Sequence, residues 1–280
     1  MSITPNSPAL ADLYAGAPCW VEMPVTDLAA AKTFYTGLFG WQYADDQGYA
    51  VAVLDGVPVA GLPEDRPLPE QYTAWTLFLH TRHARATAEK VFALGGRVLR
   101  NPTLVVDHTQ STVISDPTGG VIGFRHVPPN WRFGTTGHGA FAWAELNTRD
   151  GNTADAFFKD LCHFEVMQVG DGNRFDYTVW SVNGQSLLGR QRMDRSFPPG
   201  TPAHWMIYFT AAPEIGADSV ANRVLELGGR VTVEPYDTPF GRVTMVEDHT
   251  GSAFSVIDPS RAVHLSEEES GAQVDDPYDD

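Results

Sequence analysis

The sequence predicts an α+β protein of two similar domains, built from four βαβββ units whose helices cover one face of curled mixed sheets. Four repeats carry this prediction. "CWVEMPVTDLAAAKTFYTGLFGW" (19–41) is echoed by "AWAELNTRDGNTADAFFKDLCHF" (142–164), and the pairs Trp20/Glu22 and Trp143/Glu145 stand 123 apart (143 − 20 = 145 − 22). "LGGRV" occurs at 94–98 and again at 227–231, and "DPTGGVIGF" (116–124) is answered by "DHTGSAFSV" (248–256). Trp75 and Trp205, each opening a strand-like run, are 130 apart (205 − 75). Self-similarity of this length marks duplicated domains rather than solenoid units.

The elements follow in order. "CWVEMPV" alternates as a strand, Asp27 is placed as a helix N-cap, and Leu28, Ala31, Tyr35 and Leu38 line one helical face before Gly40 ends it. Strands are expected around 41–43, 49–54 and 57–62, with Asp55-Gly56 as a hairpin turn. A second cycle runs from a strand at 73–81 to a helix at 84–94, stopped by Gly95-Gly96, then to strands near 97–99, 111–115 and 121–126. The C-terminal half repeats the plan: strand 141–147, helix 153–162, a hairpin at Asn183-Gly184, strand 204–210 and helix 218–227. The expected division is an N-terminal tail (1–16), a first domain (17–130), a linker (131–138) within the Pro- and Gly-rich "PPNWRFGTTGHG", a second domain (139–260) and an acidic tail (261–280).

Charge narrows the function classes. A formal net charge of −16 argues against nucleic acid and against anionic membrane surfaces as partners. Part of it is local, since 266–280 holds seven acidic residues and no basic one. No apolar run of membrane-spanning length and no signal-peptide layout is present, so a soluble cytoplasmic protein, monomer or homodimer, is the expectation. Cys19 and Cys162 are too few for a disulfide framework or a four-cysteine zinc site and are expected as buried thiols.

The opening "TD…FYTGLFGW" (26–41), the "GGRV" helix stops, the "DPTG" turn and the "DHTG" that answers it, in order and twice over, resemble the vicinal oxygen chelate superfamily of glyoxalases, bleomycin-resistance proteins and ring-cleaving dioxygenases. The likeness covers about 17–258 and is greatest to its tandem, glyoxalase-like actinobacterial branch. It implies half-open barrels around a cavity, with divalent-metal ligands on inner strand faces. Carried over position by position, those ligands fall on Trp20 and Trp143, Thr76 and Met206, Gly123 and Ser255, and nearest Gly61 and Gly189. None of these is His, Glu, Asp or Cys, so neither a metal nor another cofactor is expected.

Strand alternation says what the cavities hold instead. With Trp20 and Trp143 inward, Glu22 and Glu145 are inward too, and become the candidate proton carriers. Thr76, Phe78, His80, Gly123 and Arg125 share the first cavity, and Asn147, Met206, Tyr208 and Ser255 the second. Glycine at 61, 123 and 189 is expected to leave room for a ligand, and an aromatic box with one carboxylate suits a planar or cationic small molecule. The plainer alternatives stay open: the tryptophans as core, the acids paired with Arg125 or backbone, and His80 as a strand-end residue near solvent. Asp107-His108 and Asp248-His249 fall in loops or turns, where polarity is ordinary.

Three classes of function remain. They are a metal-independent small-molecule binder; a lyase, isomerase or hydroxylase-like enzyme using Glu22 or Glu145; and a structural or interaction protein whose cavities are filled by their own aromatics. Elemental analysis of protein purified without chelators is expected to show no stoichiometric Zn, Ni, Mn or Fe, whereas one equivalent per domain would restore metal chemistry.

Overall fold

The computed structural model describes residues 14–46, 48–64, 74–104, 109–170, 172 and 175–262. The first half comprises β1 (Pro18–Glu22), α1 (Leu28–Phe39), β2 (Gln42–Asp46), β3 (Tyr49–Leu54), β4 (Val57–Pro63), β5 (Thr76–His80), α2 (Ala84–Ala93), β6 (Arg97–Leu104), β7 (Gln110–Ser115) and β8 (Val121–Arg125). The second half comprises β9 (Phe141–Thr148), α3 (Gly151–Cys162), β10 (Glu165–Val169), β11 (Tyr177–Val182), β12 (Gln185–Arg192), β13 (His204–Thr210), α4 (Gly216–Glu226), β14 (Arg230–Thr238), β15 (Gly241–Glu247) and β16 (Ala253–Asp258). The Asp107-His108 pair and the acidic stretch 266–280 lie outside the described residues.

Each half forms one eight-stranded mixed sheet, in the orders β2-β3-β4-β1-β5-β8-β7-β6 and β10-β11-β12-β9-β13-β16-β15-β14. The orders are the same when one half is laid on the other, as duplication requires. Local chemistry sets the ends of the elements. Asp27 and Asp150 accept from the backbone amides of Ala30 and Thr153, capping α1 and α3. Asp55-Gly56 and Asn183-Gly184 take positive φ at both residues, the hairpin-turn geometry expected of those pairs.

The helices lie on the sheet faces opposite Trp20 and Trp143, and one apolar core runs through both halves. In it, Phe39, Trp41 and Trp75 of the first half meet Phe209 of the second at ring separations of 5.4, 5.8 and 5.0 Å. The halves also cap each other's helices. Arg223 of α4 donates to the Gly37 carbonyl in α1, and Lys90 of α2 donates to the Asp160 and Leu161 carbonyls in α3. The inner faces are left pointing away from this shared core. Behind the second sheet, buried Arg190 is held by Asp155 at 2.7 Å and Asp176 at 2.6 Å, where the first half has Leu62.

The turn acids prove to be more than ordinary loop polarity. Asp248 is 3% exposed and its Oδ2 accepts from the Tyr35 hydroxyl across the interface at 2.9 Å, while Oδ1 accepts from the turn amides of Thr250 and Ser252. Its counterpart Asp116 accepts at Oδ1 from the turn amides of Thr118 and Gly119, but its buried Oδ2 has no partner. The reason is one atom: the helix residue matching Tyr35 is Phe158, packed edge-on to Trp205 at 5.7 Å as Tyr35 is to Trp75 at 5.6 Å. Burial accordingly pushes the Asp116 carboxyl above its ordinary range. Phe158→Tyr is expected to raise stability by about 1 kcal/mol, and Tyr35→Phe to lower it by about 1–3 kcal/mol, by analogy with other buried hydrogen bonds. Denaturant midpoints check both, and an unchanged midpoint for Tyr35→Phe would contradict the bridge.

Candidate functional site

The inner faces carry two copies of one arrangement. In the first cup, Trp20 and Glu22 point inward from β1, which pairs with Phe78 and Thr76 on β5 and, at Glu22, with Gly61 on β4. The Trp20 indole N–H donates to the Tyr49 hydroxyl at 2.9 Å, and that hydroxyl donates to Glu22 Oε1 at 2.8 Å. In the second cup the Trp143 N–H donates to the Tyr177 hydroxyl at 2.9 Å, and Tyr177 hydrogen-bonds Glu145. Both glutamates are only 5% exposed.

Residues named from the sequence therefore gather on two separate faces. The space expected at the glycines is taken by the protein itself. A Cβ at Gly61 would lie 2.0 Å from the Tyr49 hydroxyl oxygen, one at Gly189 would lie 2.0 Å from that of Tyr177, and one at Gly123 would lie 2.2 Å from the Phe78 ring. These glycines make room for aromatic neighbours, not for a ligand. His80 likewise differs from expectation: it is 8% exposed, tied into β5 by backbone bonds to Gly16 and Ala17, and burial lowers its imidazole pKa.

The copies diverge in how the acid is met. In the first cup Arg125 Nη1 lies 3.2 Å from Glu22 Oε1, and Arg125 Nε donates to Thr109. The expected linker covers this face. Trp131 donates to the Cys19 carbonyl at 2.9 Å, its ring lies 4.6 Å from the Arg125 guanidinium and 5.2 Å from Trp20, and Phe133 lies 5.8 Å from Trp20. Trp20 is left 1% exposed.

In the second cup Tyr208 donates to Glu145 Oε1 at 2.8 Å and Asn147 adds a further hydrogen bond. Among the described residues no Lys, Arg or His pairs with Glu145. Burial lifts its carboxyl above the ordinary range, against the lowering effect of Tyr208, Tyr177 and Asn147. The same burial drives the Tyr177 and Tyr208 hydroxyls well above their usual range. Trp143 is half-buried rather than sealed, and Phe175, Tyr236 and Phe240 remain exposed around the rim. Ser255, opposite Tyr208, is fully buried with an unpartnered hydroxyl, and Met206 lies beside Glu145. A hollow of about 720 Å³ lies apart from this floor, among Arg149, Asp176, Arg192, Arg195 and Phe197. Arg149 there is engaged by the Asp194 and Pro198 carbonyls and Arg192 by Asp176, so the cup is the more distinctive chemical site.

Sequence reasoning missed Tyr49 and Tyr177, the centre of each relay, although they repeat at one spacing from the paired glycines (61 − 49 = 189 − 177 = 12). It also passed over Trp131 and Phe133 as linker, and Tyr236 and Phe240 as rim. As for metal, the positions at which the family resemblance places ligands hold Trp, Thr, Met, Gly and Ser. Among the described residues no cluster of three His, Cys, Asp or Glu could replace them. This donor set does not fit a divalent cation.

Two eight-stranded sheets of paired βαβββ units, each with an inward cup, define a glyoxalase-type protein, and the chain belongs to the glyoxalase/bleomycin resistance protein/dioxygenase superfamily, whose family model matches residues 19–124. Along nearly its whole length it is similar to the putative glyoxylase CFP32 of Mycobacterium tuberculosis, 32% identical over 274 residues covering 90% of this chain and 98% of the relative. It is also similar to the anthracycline biosynthesis protein DnrV of Streptomyces peucetius, 30% identical over 268 residues covering 87% and 93%. Among solved structures, the Mn(II)-bound glyoxalase from Novosphingobium aromaticivorans shares the fold at a TM-score of 0.61 and 16% identity, covering 90% of this chain and 87% of that one. Homoprotocatechuate 2,3-dioxygenase from Brevibacterium fuscum (an E323L mutant) does so at 0.61 and 15% identity, covering 90% and 74%. No described helix is long and apolar enough to cross a membrane.

The unpaired acid has a pH signature. Because the folded protein holds the Glu145 proton above the unfolded value, it binds more protons in that interval, and stability falls as pH rises through it. Glu145→Gln is expected to flatten that slope in denaturation experiments run across pH, and identical slopes for the two proteins would contradict it.

Proposed function

We propose that this protein binds one flat small molecule per chain, without a metal, in the C-terminal cup formed by Trp143, Glu145, Tyr177, Tyr208 and Tyr236. The observation that carries the reading is the difference between the copies. Trp131 and Phe133 cover the first cup, while the second keeps Phe175, Tyr236 and Phe240 at 45%, 40% and 36% exposure. Exposed aromatics over a floor with a few polar groups are the ordinary make-up of a small-molecule site. A flat ligand also agrees with the similarity to a protein named for anthracycline biosynthesis, since anthracyclines are fused-ring compounds. In this reading the first cup is structural, its Glu22 already neutralised by Arg125.

A second reading, acid–base catalysis in the same cup, is favoured by one observation: Glu145 holds its proton above the usual range while hydrogen-bonded to two tyrosines. A carboxyl so placed can give or take a proton at a bound molecule. Acridine dyes, followed by tryptophan fluorescence and calorimetry, test the binding reading. One site per chain is expected. Trp143→Ala or Tyr236→Ala is expected to weaken binding about tenfold, the loss of one aromatic contact. Phe92→Ala, remote on α2, is expected to leave it unchanged. Two equal sites, or binding indifferent to both cup substitutions, would refute the assignment.

A further inference from the structure

Because the cups are copies, the side chains that fill one mark the space left in the other. Strand pairing sets the correspondence. Phe78 lies beside Trp20 and Gly123, as Tyr208 lies beside Trp143 and Ser255. Two residues further on, Arg125 pairs with His80 and Ile257 with Thr210, so Arg125 and Ile257 hold the same place.

In the first cup the Arg125 guanidinium reaches across the floor to Glu22, 4.6 Å from the Trp131 ring and 5.7 Å from Trp20. A flat cation and an indole thus complete the box and neutralise the acid. In the second cup the indole and tyrosine of the floor are kept and the acid is kept, but Ile257 is apolar and half-buried. Among the described residues no indole comes over from another segment. We infer that the second cup takes a flat aromatic cation presenting N–H donors to Glu145, standing where Arg125 and Trp131 stand in the first. This rests on the binding reading proposed above and names its ligand chemistry.

The charges around Glu145 agree. Tyr177 faces it from β11, Tyr208 from β13 and Tyr236 from β14, all neutral in the working pH range, with Asn147 beside it on β9. Arg190, behind the sheet, is already held by Asp155 and Asp176. A cation brought to Glu145 stabilises its carboxylate, so at any pH where the free protein still holds that proton, binding releases it to solvent as the ion pair forms. A cation over tryptophan or tyrosine faces gains further attraction, and the net charge of −16 favours its approach.

The experiment compares 9-aminoacridine, a cation at neutral pH, with acridine, uncharged there, on wild-type protein, Glu145→Gln and Ile257→Arg. The cation is expected to bind wild type about tenfold or more tightly than acridine. Its affinity should weaken up to about tenfold per unit as pH falls below the Glu145 pKa. Below that pKa, calorimetry in two buffers of different ionisation heat should show proton release. Glu145→Gln should erase the preference and the proton release while still binding acridine. Ile257→Arg, which returns a guanidinium to the acid, should block the cation. If Ile257→Arg does not fold, as circular dichroism will show, the Glu145→Gln comparison decides. Equal affinities with no proton release would overturn the ligand chemistry and leave the cup reading standing. Absence of saturable binding by either dye would overturn both.

Discussion

A carboxyl group set into an apolar sheet face must find a counter-charge or keep its proton, because an isolated buried charge is too costly to hold. This protein meets that constraint twice, at Glu22 and Glu145, and meets it differently each time. Around Glu22 a guanidinium, a tyrosine and a covering indole close the cup. Around Glu145 two tyrosines and an amide supply hydrogen bonds, and no cation among the described residues compensates its charge. Most of what distinguishes the halves follows: one floor is sealed, the other is left with exposed aromatics and an acid that no cation among the described residues neutralises.

The shared core makes this divergence tolerable. Both cups face away from the helices, so one can be covered and the other left with exposed rim aromatics without disturbing the interface where Tyr35 reaches Asp248. The same interface shows duplication relaxing atom by atom. Phe158 lacks the hydroxyl that Tyr35 has, and Asp116 Oδ2 has no partner where Asp248 Oδ2 has one. Behind the sheets, Arg190 and its two aspartates stand where Leu62 stands, a difference on the helix side that leaves the cup floor alone.

Much of the fold was legible because it depends on local patterns. Helix caps at Asp27 and Asp150, hairpin turns at Asp55-Gly56 and Asn183-Gly184, and the alternation of Trp20 with Glu22 are all set within a few residues. The site was legible only in part, since alternation says which face a side chain occupies but not how far it reaches. Tyr49 fills the space over Gly61 from the neighbouring strand, Arg125 crosses to Glu22 from a strand two removed, and Trp131 arrives from a segment that composition marks as linker. Each is a long side chain acting at a distance that sequence spacing does not measure. The glycines that suggested open space are there because those side chains need it.

The most direct measurement is the carboxyl-carbon NMR signal of Glu145, assigned through Glu145→Gln, followed with pH before and after adding 9-aminoacridine. The account predicts a signal that stays protonated above the ordinary glutamate range in the free protein and moves to the carboxylate position when the cation binds. A signal that titrates like an exposed glutamate and ignores the cation would contradict it.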